Sequence, residues 1–580
     1  MLGADKIPPA EAPYSRGMKA RALLLLLLVA CNRETSGSSY DRAMRALAAG
    51  EFREARPLLA EAIAAEPEGK RRDDAELALA KVEWRVFREV DSARTRLQKL
   101  AGSDARIVAT RIAFNRKDFA DARAEARKAL AAATKQREKR TALVALAAIA
   151  VRDPASTKEE LQAVVASLRG NIAEHGAYLA TSRALTRAAL RAGDGAAALE
   201  GINGYYHVSA YNGPPQGIAA AHAELARLLP SWKGDAQANV ARALAGVRMF
   251  EEAAIVQPQG ELAEYAAALR RVEEAIQEHY RKIALGNEDK RGVRKIIGRE
   301  LKTPQAELAK RYGAYINDGQ TGGHYDLHMG HIVVDSTMKV EQYGRTGTVR
   351  FVALDGIVSN GYSQWVSDGG SGDGGWGTAK EIYQVRPMYA DGALRDWERI
   401  HDPVERAEVE RTTAEETQRD VERGRQNPIQ PFPGLVKRLR QQYLSRVAAE
   451  TKTREAFLAR VESELFQSSI VLHEGRHAID AASGQKLDSW KLEYRAKLSE
   501  VALAASPRAV LQNILDHPFD SSPHGKATEQ LSRGLAAWME KNADAIAGLD
   551  RTAALLPQLD KLTDEQLRAA ARSLDPFAQK

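Results

Sequence analysis

"TREAFLARVESELFQSSIVLHEGRHAIDAAS", residues 453–483, reads as a single amphipathic helix. Leu465, Leu472 and Ile479 recur every seven residues and supply one apolar stripe. On such a helix His473 and His477 stand one turn apart on a common face, so their imidazoles can reach one ion together. Glu474 is turned by about 100° from His473 and can address a water on that ion. A plain polar helix is the bland alternative. The flanks argue against it: the motif lies mid-helix between apolar residues, with the small Gly475 inside it.

The chemistry this spacing suits is zinc-assisted hydrolysis. The metal polarises a carbonyl and acidifies its bound water, and Glu474 moves a proton from that water to the leaving amine. The stretch resembles the zincin metallopeptidases. A third ligand is needed, and the version with a third histidine six residues after the second fails, because residue 483 is serine. The gluzincin version draws a glutamate from the next helix, here "SWKLEYRAKLSEVALAAS", residues 489–506. Glu493 follows His477 by sixteen residues, with the turn Ser483-Gly484 between, and Glu493-Tyr494-Arg495-Ala496 resembles the gluzincin Glu-x-x-Ala pattern. Glu500, on the same face, is the rival third ligand; the carboxylate that does not bind could orient a ligand histidine. Asp480 is a further candidate for that orienting role. The resemblance also implies a downstream His or Tyr that steadies the oxyanion, and His524 in "HPFDSSPHGKATEQL" is the candidate. It implies a sheet edge lining the cleft, expected within residues 324–366.

The N-terminus carries a second pattern. Met18-Lys19-Ala20-Arg21 is basic, Ala22 to Val29 is apolar with six consecutive leucines, and Leu28-Val29-Ala30-Cys31 follows. This is the plan of a secretory signal, too short to span a bilayer. The residues before Met18 read as an over-long start. The ending resembles the bacterial lipobox, which implies a signal over residues 1–31, a lipid anchor on Cys31 and a place in the cell envelope. Asn32 favours the outer membrane. Cys31 is the one cysteine of the chain, so an internal disulfide is excluded and any metal site must use histidines and carboxylates.

With 580 residues the chain should form two to four domains. Its net charge of +7 is spread over 84 basic and 77 acidic residues. That is a mixed surface without aromatic-interleaved basic clusters, and it argues against nucleic-acid binding. The fold class expected is mainly α with a small α+β part. After a polar linker at 32–39, residues 40–285 are rich in Ala, Leu, Glu and Arg with helical periodicity. "GEFREARPLLAEAIAAEP", Gly50 to Pro67, resembles the second half of a tetratricopeptide repeat, and aromatic-x-x-Ala echoes recur at Phe119 and Phe250. Either as such repeats or as a generic helical array, this reads as an α-solenoid presenting a concave surface to protein partners. A helical connector is expected at 286–320 and a zincin-like domain with a short β-sheet at 321–580.

Within that last part, "HIVVD", "TVRFVALDGIVS" and "EIYQVR" read as strands. His324, His328 and His331 form a second histidine group whose geometry the sequence does not fix, and Tyr343 is a further candidate to line the cleft. "SNGYSQWVSDGGSGDGGWG", 359–377, reads as a glycine-rich loop with Trp365 and Trp376 as candidate substrate platforms. The function expected is an envelope-anchored zinc metallopeptidase acting on proteins or peptides. The alternative is a non-enzymatic scaffold with a structural or decayed metal site; hydrolysis of a non-peptide amide is a third reading.

Overall fold

The computed structural model describes residues 38–578 apart from 210–217, 248, 288–294, 297, 300–306, 309, 322–323, 360–361, 363–364, 367–373, 379 and 485. The signal, the lipobox and Cys31 lie outside the described residues, as does most of the glycine-rich stretch before residue 374. The protein is mainly helical with one small mixed sheet. It divides into two compact units, Met1–Leu100 and Ala101–Lys580. The division falls inside the stretch read as one helical array.

In the first unit, α1 (Ser39–Ala48) is capped by Ser38, whose hydroxyl accepts from the Asp41 N–H while the Asp41 carboxylate answers the Ser38 N–H. Gly50, at φ +75°, turns the chain into α2 (Phe52–Ala65) in a conformation that glycine adopts without strain. Phe52, Ala55, Leu59 and Ala62 of α2 are buried. The echoes seen in the sequence obey a common local rule. Phe52, Phe119 and Phe250 each open a helix. The alanine one turn later (Ala55, Ala122, Ala253) is fully buried in each case. Its missing side chain is what lets a neighbouring helix come close.

The second unit begins with successive helices, Ser103–Asn115 through α3 (Glu261–Ala284), that pack on one another. Their core holds Leu185, Ala188, Val240, Leu244 and Tyr265. The expected connector needs correction at its far end: Ala314–Thr321 is strand β1, not helix. β1 is followed by β2 (His324–Gln342), β3 (Arg345–Ser359), β4 (Gly375–Gly377) and β5 (Glu381–Val385). The sheet order is β1-β2-β3-β5-β4. Only the β3–β5 pair is parallel, and β4 forms one edge. Alternation assigns the two faces. Val340, Val349 and Ile382 face Ile470, Ala478 and Ile479 of the motif stretch. Val352, Leu354, Tyr383 and Val385 form a separate cluster with Trp376.

Helices return with α4 (Arg386–His401) and a following helix, Pro403–Gln426; after a loop with prolines at 428 and 431 comes α5 (Pro433–Glu450). The motif stretch follows as α6 (Arg454–Phe466), a π-helical segment (Gln467–Glu474) and α7 (Gly475–Ala482). The rest is α8 (Ser489–Leu503), α9 (Pro507–Leu515), α10 (Pro523–Lys541) and α11 (Asp564–Leu574). Leu439, Leu498, Leu511, Leu531, Leu535 and Leu567 knit these helices into one core. Among the described residues no helix is long and apolar enough to cross a membrane.

Candidate metal centre

The expected single helix carries a π segment, Gln467–Glu474, that runs into the motif and includes His473 and Glu474. Wider turns shift the phase of every later residue, and the seven-residue stripe breaks accordingly. Leu465 and Ile479 pack toward the sheet, while Leu472 packs into the helical core. Gln342, the last residue of β2, stabilises the irregular turn by donating to the Leu472 carbonyl at 2.7 Å and the Val471 carbonyl at 3.3 Å.

After α7, Ser483 and Gly484 reverse the chain, with Gly484 at φ +70°. The contacts show that α8 runs back antiparallel. His473 reaches Glu500 and His477 reaches Glu493. The buried Arg476 anchors the motif from its opposite face. Its guanidinium meets Asp575 at 2.8 and 3.0 Å, donates to Ser499, and lies 4.0 Å from the centre of the Phe577 ring. At about 100° per residue Arg476 and Glu474 flank the histidine face on opposite sides, so tying Arg476 to Asp575 and Ser499 fixes the rotation of the helix.

Glu493 is the hub of the site. Its Oε2 lies 3.2 Å from His473 Nε2 and 3.0 Å from His524 Nδ1, and its Oε1 lies 3.5 Å from His477 Nε2. One donor atom from each of His473, His477 and Glu493 falls within 4.8 Å of the others. This group could hold a metal ion, and it is the one such group among the described residues. The carboxylate fits that role in a second respect: Glu493 Oε2 is buried yet accepts no well-aligned hydrogen bond. Glu500 instead meets the other nitrogen, His473 Nδ1, at 3.1 Å. There it fixes the ring and leaves Nε2 for the ion.

The charges are mutually reinforcing. Burial opposes a proton on His473, but Glu500, Glu493 and Glu474 outweigh it and raise the imidazole well above its ordinary value. Burial would raise Glu493, yet His473, His477 and His524 hold it far below the usual carboxylate range. Glu474 has its pKa raised, chiefly by burial. Its carboxylate abuts β4: a Cβ on Gly377 would sit 2.2 Å from Glu474 Oε2, and one on Gly375 would sit 2.6 Å from Ile470 Cδ1. Glycine at both positions lets the edge strand approach the acid this closely. A cavity of about 360 Å³ opens here, lined by His473, Glu474, His524, His517, Lys497 and the Gly374–Gly375 backbone among others.

Several expectations are corrected. Asp480 does not orient His477; it is buried and pairs with Arg495 at 3.1 Å and Arg476 at 3.4 Å, because the turn of helix that carries it faces the C-terminal tail. The edge beside Glu474 is β4 rather than the 324–366 stretch. Neither His331 nor Tyr343 lines the cavity. His331 is buried against Asp355 at 3.1 Å, and the side chains of His324 and His328 lie outside what is described. Tyr343 is held near Arg476 by the core. Trp365 is buried beside Tyr280 and Trp376 stacks on Tyr383 at 5.0 Å, so both serve packing. The sequence reading passed over Lys497, four residues after Glu493, and His517, whose ring lies 6.0 Å from that of His524. Helical spacing from Glu493 points to the first; nothing local marks the second.

Fold and site together define a mainly helical protein with a small mixed sheet and a two-histidine, one-carboxylate group able to hold a metal ion. No family model, curated protein or solved structure matches the chain.

Proposed function

We propose that the protein is a zinc-dependent hydrolase of peptide bonds, with a zincin-like C-terminal part and a lipid anchor on Cys31 that tethers it to the bacterial envelope. The observation that carries the reading is the convergence of His473, His477 and Glu493 next to Glu474 and the edge strand β4. Two imidazoles and one carboxylate are a donor set that zinc takes in catalytic sites, with a position left for water. When bound, the ion supplies Lewis acidity and an acidified water. Glu474, beside His473 in the cavity wall, takes the proton from the water and hands it to the departing amine. β4, an edge strand among the described residues, offers backbone to an extended peptide. His524, more exposed than the other histidines, stands at the mouth to steady the developing oxyanion. The helical array, read as a tetratricopeptide-like solenoid, serves as the surface for a protein partner.

The test is metal content and turnover on the full chain. Wild type should carry about one zinc and cleave casein or a labelled peptide. His473→Ala should lose the metal, and Glu474→Gln should keep it while losing turnover by about a hundredfold to ten-thousandfold. Zinc retained in Glu474→Gln with turnover unchanged, or absent from wild type, would instead favour the scaffold reading.

A further inference from the structure

Three cationic side chains line the cavity beside the histidines, Lys497, Arg395 and Arg440, together with the acids Asp396, Glu474 and Glu500. Lys497 is 2% exposed and lines the cavity. It sits one turn after Glu493 on α8, hence on the side of that helix facing the metal group. Among the described residues it makes no ion pair; Glu500 and Glu493 act on it only at longer range. Burial lowers the Lys497 pKa, and an anion entering beside it would restore the ammonium and pair with it. Two guanidiniums line the same space, Arg395 of α4 and Arg440 of α5. Arg440 lies 3.1 Å from Asp396, but that carboxylate is shared with Arg399 at 2.5 Å. Arg395 has no ion pair among the described residues. Asp391, half-buried, acts on it at longer range, and its own pKa is pushed up to about 6 by desolvation. Of the other acids of the wall, Glu500 meets His473 at 3.1 Å and Glu474 abuts the edge strand beside the metal group.

We propose that this cavity binds a carboxylate of the substrate, so that the protein prefers peptides bearing an acidic side chain or a free C-terminus next to the scissile bond. The inference rests on reading the site as a peptide hydrolase. Guanidinium forks and an ammonium are the groups that hold a carboxylate, by paired hydrogen bonds and by point charge respectively. The ion activates the scissile carbonyl, while Lys497, Arg395 and Arg440 set which residue lies beside it.

Three peptides separate the possibilities: an alanine pentapeptide blocked at both ends, the same peptide with a central Glu, and the alanine peptide with a free C-terminal carboxylate. Affinity is measured by calorimetry on zinc-loaded full-length Glu474→Gln, and kcat/KM on the Glu474-containing enzyme. One or both charged peptides should bind about tenfold to a hundredfold more tightly than the blocked one. The preference should vanish in Lys497→Met. Which of the two charged peptides gains identifies the source of the carboxylate. Should Lys497→Met fail to give a native circular dichroism spectrum, Arg395→Gln, at a half-buried position, carries the same test. Equal binding and equal cleavage of all three peptides overturns the carboxylate subsite and leaves the hydrolase standing. Selective binding that Lys497→Met abolishes, with no cleavage of any peptide, keeps the subsite and removes the hydrolase.

Discussion

Between Ser103 and Ala284 the core is made of Leu185, Ala188, Val240, Leu244 and their neighbours, and its most buried acid is neutralised on the spot: Glu252 accepts from Arg187 at 2.7 Å, with Arg183 at 3.5 Å. Around residues 473–575 the core pairs Arg476 with Asp575 but leaves other charges gathered without such a one-to-one match. Three imidazoles crowd one carboxylate, Lys497 makes no ion pair among the described residues, and Glu474 is pressed against a strand edge. The first arrangement is what packing requires. The second holds charge at a cost that packing does not explain, and perturbed groups gathered at a cavity are what the proposed function draws on.

The largest effect should come from the charged core. Asp575→Ala leaves the Arg476 guanidinium buried without its bidentate partner. We expect a loss of about 3–5 kcal/mol in urea unfolding, together with loss of zinc, since Arg476 sets the rotation of the motif helix. A loss under about 1 kcal/mol would mean that this pair is no more than a surface contact. Next, Leu244→Ala in the array should cost about 3 kcal/mol through lost burial and a cavity, with zinc content unchanged. If Leu244→Ala also released zinc, the two halves of the contrast would not be separable. A smaller effect is expected from Gly377→Ala, whose new methyl would meet the Glu474 carboxylate. It should cost about 1–3 kcal/mol, seen as a fall in kcat with zinc stoichiometry intact.

How much of this was readable in advance follows the range of the interactions involved. His473, His477 and Glu474 lie within one helical turn, and Glu493 follows after a single reversal at Gly484, so local periodicity sufficed to group them. The helix-opening aromatics and their alanines were legible for the same reason. The break in the Leu465–Leu472–Ile479 stripe was not, because the π segment depends on Gln342, more than a hundred residues upstream. Asp480 was misread because its partners include Arg495 on the next helix, and because Arg476 is tied to the tail at Asp575. The edge strand was missed because three residues rich in glycine carry no strand propensity; only pairing with Gln384, Tyr383 and Ile382 makes Gly375–Gly377 a strand.

The subtlest expectation concerns protons at the metal group, and it distinguishes a charge reserve from a finished ion pair. In the metal-free protein His473 has a raised pKa, above the ordinary 6.5. Its pairing with Glu500 and Glu493 therefore adds stability that is complete below about 6.5 and fades as pH rises through the raised folded value. Glu493 is depressed instead, so it stays ionised from mildly acid to alkaline pH and adds no slope there. Zinc must displace the proton on His473. The stabilisation by zinc, read as a rise in Tm, should therefore be small near pH 6 and grow with pH, its free energy by up to about 1.4 kcal/mol per pH unit for one displaced proton. It should level off once pH passes the folded value of His473. Glu500→Gln removes the carboxylate that acts most strongly on that imidazole, and should move the levelling-off to lower pH. A zinc effect on Tm that is flat from pH 6 to 9, checked by differential scanning calorimetry with and without the metal, would mean that His473 is not a ligand.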